Sequence, residues 1–412
     1  MSPQFQHKGG SPPPHGGGHG GGAFPGGGHF HKAGGGGGPG GGHGWGPAAG
    51  GGYRLAAPAY LANLPASYFQ QAPPGHTFRL YFRGWSATWA VAAEAKREVL
   101  HEIVPLGKTY KDMVAAAVAR QKKEAERVGA FAATATAAAP FTTGLGIEHP
   151  LENGFAFLDP YGLPYLPGSG VKGVVRRAAE ELALFEAEAH GWSIPAVWWL
   201  FGFDATSAFL AGDGKGDPKV IAEEREAWRN AYRQHLERLD GEGKRLLDAF
   251  CRAASPRGKE GAEQVLAALR GEGGRELLNH LHLRGALEFW DVIPEPADGK
   301  LRVDIMNPHY NHYYQEGKAP GDWGSPVPIY FLTLPPGSTF TFVVRFRPPV
   351  QWPEEVRASL EPRWRGLVEA ALHFAWEWQG FGAKTAVGYG RMGTRDVKPL
   401  PPLQFPKDPG GA

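Results

Sequence analysis

TTGLGIEHPLENGFAFLDPYGLPYLPGSGVKGVVRRAAE, residues 142–180, decides how the rest of the chain is read. It predicts a strand end, a short hairpin, and a glycine-rich turn opening directly into an amphipathic helix. The hairpin flanks, 155–158 and 163–166, enclose Asp159-Pro160-Tyr161-Gly162, in which each residue suits a tight turn. The second turn is Pro167-Gly168-Ser169-Gly170, with Ser169 read as the N-cap of the helix. Glycines there let a ligand approach the backbone closely, and the first N–H groups of a helix lack partners inside it. An anion seated there meets those N–H groups, the positive end of the helix dipole, and Lys172 one turn in.

The helix sorts its residues by face. Val171, Val174, Val175, Ala178, Leu182 and Phe185 recur at three and four, the spacing of a core-facing stripe. Lys172 and Arg176 share another face, and with Arg177 they confine positive charge to the first two turns, ahead of Glu180, Glu181, Glu186 and Glu188. Cations at a helix N-terminus oppose its dipole, so their grouping there indicates a site that gathers around an anion.

A second glycine-rich stretch answers the first. Gly380-Phe381-Gly382-Ala383-Lys384-Thr385-Ala386-Val387-Gly388-Tyr389-Gly390-Arg391 has the form G-h-G-x5-G-h-G, with h apolar or aromatic. It follows a helical pattern over 363–378 and is expected to lead into a last strand around 385–392. No G-K-[ST] ending and no preceding strand accompany it, which excludes a Walker loop and a dinucleotide fingerprint. The candidate contacts to a phosphate backbone are Gly168, Ser169, Gly170, Lys172, Arg176, Gly382, Lys384, Thr385, Gly388, Tyr389 and Arg391. Tyr389 and Phe381 have the chemistry to stack on a base, but Phe381 is read first as an anchor to the core.

Around these two motifs the chain divides by composition. Of its 412 residues, the first 52 hold 24 of the 61 glycines, six histidines and no acid, a composition that cannot bury enough apolar surface to fold. That tail is expected to be disordered, as is a proline-rich end at 401–412. Outside the first 52 residues, 41 Lys and Arg face 41 Asp and Glu, so the remainder is formally neutral and any nucleic-acid grip must be local. The single cysteine, Cys251, excludes an internal disulfide and a cysteine-rich zinc site. No apolar run reaches the roughly 18 residues of a membrane span, and a cytoplasmic protein without cofactor or metal is expected.

Residues 109–127 read as a charged helix and 131–143 as a strand. Residues 194–281 are mostly helical in pattern, a helical insertion at about 191–282 in which Trp198, Trp199 and Phe201 belong to the core. Strands are expected at 285–293, 301–305, 327–334 and 338–347, the last alternating Phe340, Phe342, Val344 and Phe346. Two successive strand–helix–strand units with antiparallel hairpins suggest an α+β, ferredoxin-like topology over 53–400.

Leu163-Pro164-Tyr165-Leu166-Pro167-Gly168-Ser169-Gly170-Val171-Lys172-Gly173, the segment 287–294 and the terminal glycine loop together resemble the RAMP superfamily of CRISPR proteins. The form TTGLGIEHPLENGFAF most resembles the family of sixth subunits of Cmr, the type III-B RNA-targeting effector complex. The resemblance covers roughly 131–395 and leaves the glycine- and histidine-rich tail outside. It implies a ferredoxin-like, RRM-like RAMP fold and a non-catalytic subunit that binds CRISPR RNA towards its 3′ end, beside the repeated backbone RAMP subunit. It also implies proximity to target RNA, whose cleavage the family credits to that backbone subunit. The RNA-contacting positions it implies are Gly168 to Lys172 and Gly380 to Gly390. Two alternatives stay open. One is a metal-independent ribonuclease drawing on His149, His309, His312, Tyr310, Tyr313 and Lys384; the other is a structural cap that touches only protein.

Overall fold

The computed structural model describes residues 68–393 apart from 70, 87, 92, 187–189, 205–206, 208–218, 255–261, 272–274, 308–316 and 318–327, together with 55, 56, 58 and 61. The expectations for the two tails, and for His309, Tyr310, His312 and Tyr313, fall outside the described residues.

Helices α1 (Pro74–Arg79), α2 (Ala93–Ile103) and α3 (Lys108–Arg127) lead through Gly129, at φ 65°, into strand β1 (Phe131–Ala137). The expected hairpin follows as β2 (Phe157–Leu158) and β3 (Leu163–Pro164), then α4 (Gly168–Phe185). The insertion comprises α5 (Ile194–Phe201), β4 (Gly202–Phe203), α6 (Lys219–Glu237), α7 (Gly241–Ala254), α8 (Ala262–Arg270), α9 (Arg275–His280) and β5 (Leu283–Arg284). After it come β6 (Leu287–Phe289), β7 (Arg302–Met306), β8 (Ile329–Thr333), β9 (Thr339–Phe346), α10 (Glu354–Leu360) and α11 (Trp364–Phe374). A π-helical turn (Ala375–Gln379), a 3₁₀ turn (Thr385–Val387) and β10 (Met392–Gly393) close the described chain.

The molecule is a mixture of helix and sheet. Its main sheet runs β10-β1-β9-β6, antiparallel throughout, with α4 between β1 and β6 in sequence and α11 between β9 and β10. Strand β9 is buried on both faces, Thr341 and Val343 included; on one of them Phe340, Phe342 and Val344 are fully buried, and Phe342 meets Trp376 and Phe381 at 5.5 and 5.0 Å between ring centroids. Phe346 stacks on Trp364 of α11 at 5.5 Å. Each such large apolar side chain contributes about 1.5–3 kcal/mol on burial. Helix α4 packs beside α11, and the fully buried Ala178, Ala179 and Ala183 let the two backbones come close. The expected stripe holds for Val171, Val175, Ala178 and Leu182 but not at its end: Phe185 is 54% exposed, its ring meeting Trp228 edge-on, because α4 has by then run past the sheet.

All eight residues of α5 are buried, and Trp199 donates its indole N–H to the Leu246 carbonyl at 2.9 Å, so Trp198, Trp199 and Phe201 are core. The pairing of β4 with β5 ties the two ends of the insertion together. Two strand expectations need correction. Only 287–289 of the expected 285–293 run forms a strand, since Val292 turns away to pair with Leu166. The last strand is Met392–Gly393 alone; Lys384, Gly388 and Gly390 have positive φ, which no strand accommodates. No helix among the described residues is long and apolar enough to cross a membrane.

Candidate nucleic-acid interface

Helix α4 begins at Gly168 with Pro167 as its N-cap, at φ −58° and ψ 137°, so Ser169 lies inside the first turn and does not cap it. The reason is tertiary. The Gly168 N–H donates to Asp291 Oδ1 at 2.7 Å, and this carboxylate, from just beyond β6, takes the place assigned to a serine hydroxyl or an incoming anion. Reciprocal bonds between Leu166 and Val292, both 2.9 Å, hold the two segments together. A side chain at Gly168 would collide with the Phe289 carbonyl, which is why glycine stands there.

Past this sealed first N–H the surface opens. Ser169, Gly170 and Gly173 are exposed, and a Cβ added at Gly173 would meet nothing within 4 Å. Lys172 stands among them, half-buried, with no carboxylate within ion-pair distance among the described residues. Burial, and then the neighbouring Arg176 charge, push its pKa down against a weaker pull from Asp204. The other two cations of α4 are engaged. Arg176 Nε pairs with the buried Glu180 at 2.9 Å, and Arg177 pairs with Glu181 at 2.9 Å while its guanidinium lies 3.5 Å over the Trp228 ring. Arg176 therefore braces α4 internally, with Nη2 buried and without a partner among the described residues.

The glycine loop is built from the other direction, out of the π-turn. Phe381 is fully buried, the anchor expected of it. The N–H groups of Phe381, Ala383 and Gly390 donate to Gly390, Thr142 and Pro140 at 3.0, 2.8 and 2.8 Å; those of Val387, Gly388 and Tyr389 close turns on Lys384 and Thr385. These six loop amides, like that of Gly168, are committed to protein and are not free to receive phosphate. Side chains at Gly382 and Gly390 would collide with the Thr142 and Phe381 carbonyls. Thr142, itself fully buried, also donates its hydroxyl to the Leu332 carbonyl at 3.0 Å, knitting loop, β1 and β8 into one unit.

The loop's polar side chains point at the β7–β8 ribbon. Tyr389 donates its hydroxyl to Asp304 at 2.6 Å; burial, reinforced by that bond and charge, pushes its pKa up to about 12. Lys384, at φ 60°, reaches Met306 Sδ at 3.4 Å and lies 5.4 and 5.8 Å from the ring centroids of Phe331 and Tyr389, a cation held by aromatic faces. No carboxylate lies within ion-pair distance of it among the described residues. Arg391 is exposed, its Nε donating to the Glu377 carbonyl at 3.2 Å. Thr385 opens the 3₁₀ turn and Gly388 closes it, both half-buried.

Both motifs sit at one end of the α4–α11 pair. Trp192 and Gly191, just past α4, bond to Leu367 and Arg363 at the start of α11, so the helices run antiparallel and α4 begins where the π-turn ends. They approach opposite edges of the sheet, α4 beside β6 and the loop beside β1 and β10, roughly 10–15 Å apart at the ordinary strand spacing. The structure thus brings Lys172 and Lys384 to one end without joining the two glycine turns into one pocket. Three partners escaped the sequence reading: Asp291, Asp304 and the Thr142 carbonyl. Their contacts span 85 residues or more, beyond any spacing rule.

His149 is committed to structure. Its Nε2–H donates to the Phe78 carbonyl at 2.9 Å, Nδ1 accepts from the Leu151 N–H at 3.1 Å, and the ring stacks on Phe78 at 3.8 Å. Burial, ahead of opposing and lesser contributions, lowers its pKa, and neither nitrogen is free to move a proton. Among the described residues no group of three His, Cys, Asp or Glu side chains is placed to hold a metal.

Comparison with known proteins matches residues 134–393 to the model of the RAMP superfamily. The chain is similar to the CRISPR system Cmr subunit Cmr6 of Pyrococcus furiosus, with 34% identity over 262 residues, covering 60% of this chain and 63% of that relative's length. Among solved structures, a type III-B Cmr-beta complex bound to cognate target RNA aligns over 75% of each chain with a TM-score of 0.40 and 17% identity. A crystal structure of Cmr6 from Pyrococcus furiosus aligns over 64% of this chain and 97% of the other, with a TM-score of 0.28 and 26% identity.

Proposed function

This chain belongs to the RAMP superfamily, and from that membership we propose that it is a non-catalytic RNA-binding subunit of a type III-B CRISPR (Cmr) interference complex. In this reading it holds the 3′ region of the CRISPR RNA through phosphates and helps position target RNA for cleavage by another subunit, in the cytoplasm. Its partners are the guide, the target, and other Cmr subunits including the repeated backbone RAMP subunit. The 34% identity to a Cmr6 subunit supports the assignment to the complex. The main sheet is taken as a ferredoxin-like core spanning 53–400 with one helical insertion. Its order, β10-β1-β9-β6, with one helix after the first strand and one after the third, supports that.

The observation that carries the RNA reading is the state of the cations. Lys172 and Lys384, one from each glycine-rich motif, lack a carboxylate partner among the described residues and stand at the same end of the α4–α11 pair, whereas Arg176 and Arg177 are neutralised by glutamates. Lys172 beside exposed Ser169, Gly170 and Gly173, and Lys384 on the aromatic β7–β8 ribbon, are positive charges that attract phosphate without reading bases, as a subunit serving many guides requires.

The test is fluorescence anisotropy of the full chain on labelled guide RNAs of unrelated sequence, across a salt series. Lys172→Ala combined with Lys384→Ala is expected to weaken binding about equally for every guide. It should also flatten the dependence of log K on log salt by about 1.4, at roughly 0.7 per phosphate on a single strand. An unchanged slope in the double variant would leave the protein-only cap; cutting of the labelled guide by purified wild type would replace the reading with a nuclease.

A further inference from the structure

The N-terminal helices line a cavity of about 480 Å³ that shares no lining residue with α4 or the glycine loop. Its volume lies in the range of about 300–1,000 Å³ typical of small-molecule sites. Among its lining residues Phe69, Ile103 and Tyr110 are buried, Arg83 is half-buried, and Glu102 is exposed as a whole with its carboxyl partly buried.

Tyr110 is 2% exposed, and its hydroxyl has no hydrogen-bond partner among the described residues. A buried phenol left unpaired costs about 1–3 kcal/mol, so the group is incomplete as it stands. The Arg83 guanidinium lies 4.8 Å over the Phe69 ring, which makes a flat, aromatic and cationic wall. Glu102 offers two acceptor oxygens close enough to feel the Arg83 charge; burial raises its pKa and Arg83 opposes that. The cavity therefore combines a planar cationic wall, the Tyr110 donor and the two-oxygen acceptor of Glu102. Single-stranded bases are recognised with this kit, by stacking on aromatic or guanidinium planes and bonding along the base edge. Of the four RNA bases only guanine presents two adjacent N–H donors on its Watson–Crick edge, N1–H and N2–H, matched to the two oxygens of a carboxylate, beside O6, an acceptor for Tyr110.

We propose that this cavity binds a guanine base, with Glu102 accepting from its N1–H and N2–H, Tyr110 donating to one of its acceptors, and the Arg83 guanidinium, backed by Phe69, stacking on its plane. The site does not rest on the phosphate grip of Lys172 and Lys384. The guanine belongs either to a free nucleotide or to an unstacked residue of an RNA strand.

Calorimetric titration of the full chain with GMP, AMP, CMP and UMP tests it. GMP is expected to bind at least ten-fold more tightly than the other three. Glu102→Gln, which replaces one acceptor by a donor, should abolish that preference, and Tyr110→Phe should weaken GMP several-fold while leaving the fold intact by circular dichroism. Equal binding of all four nucleotides, no binding of GMP at millimolar concentration, or undiminished GMP binding by Glu102→Gln overturns the proposal. A decamer with one guanosine, set against one with none, identifies the source. If it displaces GMP the base comes from a strand; if it does not, from a free nucleotide. Lys172→Ala with Lys384→Ala should leave GMP binding unchanged, so loss of GMP binding and loss of the RNA grip are read separately.

Discussion

Each glycine of the terminal loop answers to a different constraint. Gly390 has φ 71° and a Cβ there would strike the Phe381 carbonyl, whereas Gly388 has φ 92° with nothing within 4 Å of a Cβ. The first position combines backbone strain with overpacking; the second has strain alone. Gly390→Ala should therefore destabilise by about 3 kcal/mol or more, and Gly388→Ala by about 1–2 kcal/mol. Urea titrations with unchanged slope would measure both, and equal losses would show that the close approach to Phe381 contributes nothing. Lys384, non-glycine at φ 60°, bears the same backbone cost, and its ammonium is held by Met306, Phe331 and Tyr389.

Among the elements, α4 shows how a neighbour rewrites a helix start. Asp291 supplies the acceptor that a capping side chain would provide, and it places negative charge where the dipole favours it. Asp291→Ala should lower stability by about 1 kcal/mol. It should also raise RNA affinity at low salt by about two- to five-fold, since the carboxylate no longer competes with phosphate near Lys172. The gain should vanish at high salt, where such charges are screened. An affinity that falls instead would mean that Asp291 orients the helix start for RNA. The π-turn at the end of α11 matters for the same reason, because Phe381 just beyond it is buried against Phe342 of β9, and the loop that follows sets Lys384 against the β7–β8 ribbon.

At the scale of the whole molecule, histidines make the fold acid-sensitive. His235 accepts the Ile194 N–H on Nε2 at 3.2 Å, and burial lowers its pKa to about 4, partly offset by Asp240. His149 and His373 are lowered as well, burial again leading. A group whose folded pKa lies below its unfolded value of about 6.5 leaves the unfolded chain holding more protons between the two. The stability contributed by a neutral His235 is then complete above pH 6.5 and is lost as pH falls towards 4. Denaturation midpoints should drop across that window, less steeply in His235→Gln, which no longer titrates; a variant as steep as wild type would assign the slope to the other two histidines.

Much of this fold is local and was legible in the residues. The period-two run of β9, the Asp159-Pro160-Tyr161-Gly162 turn, the buried tryptophans of α5 and the glycine spacing that marks the family all follow from propensity and periodicity. Those quantities act between neighbours a few positions apart. Which N–H groups stay free, which cations keep their charge and where the strands stop were decided by contacts across the chain: Asp291 on Gly168, 123 residues away, and Asp304 on Tyr389, 85 away. Hydrogen bonds and ion pairs are satisfied by whatever lies nearby in space, and sequence order does not carry that distance.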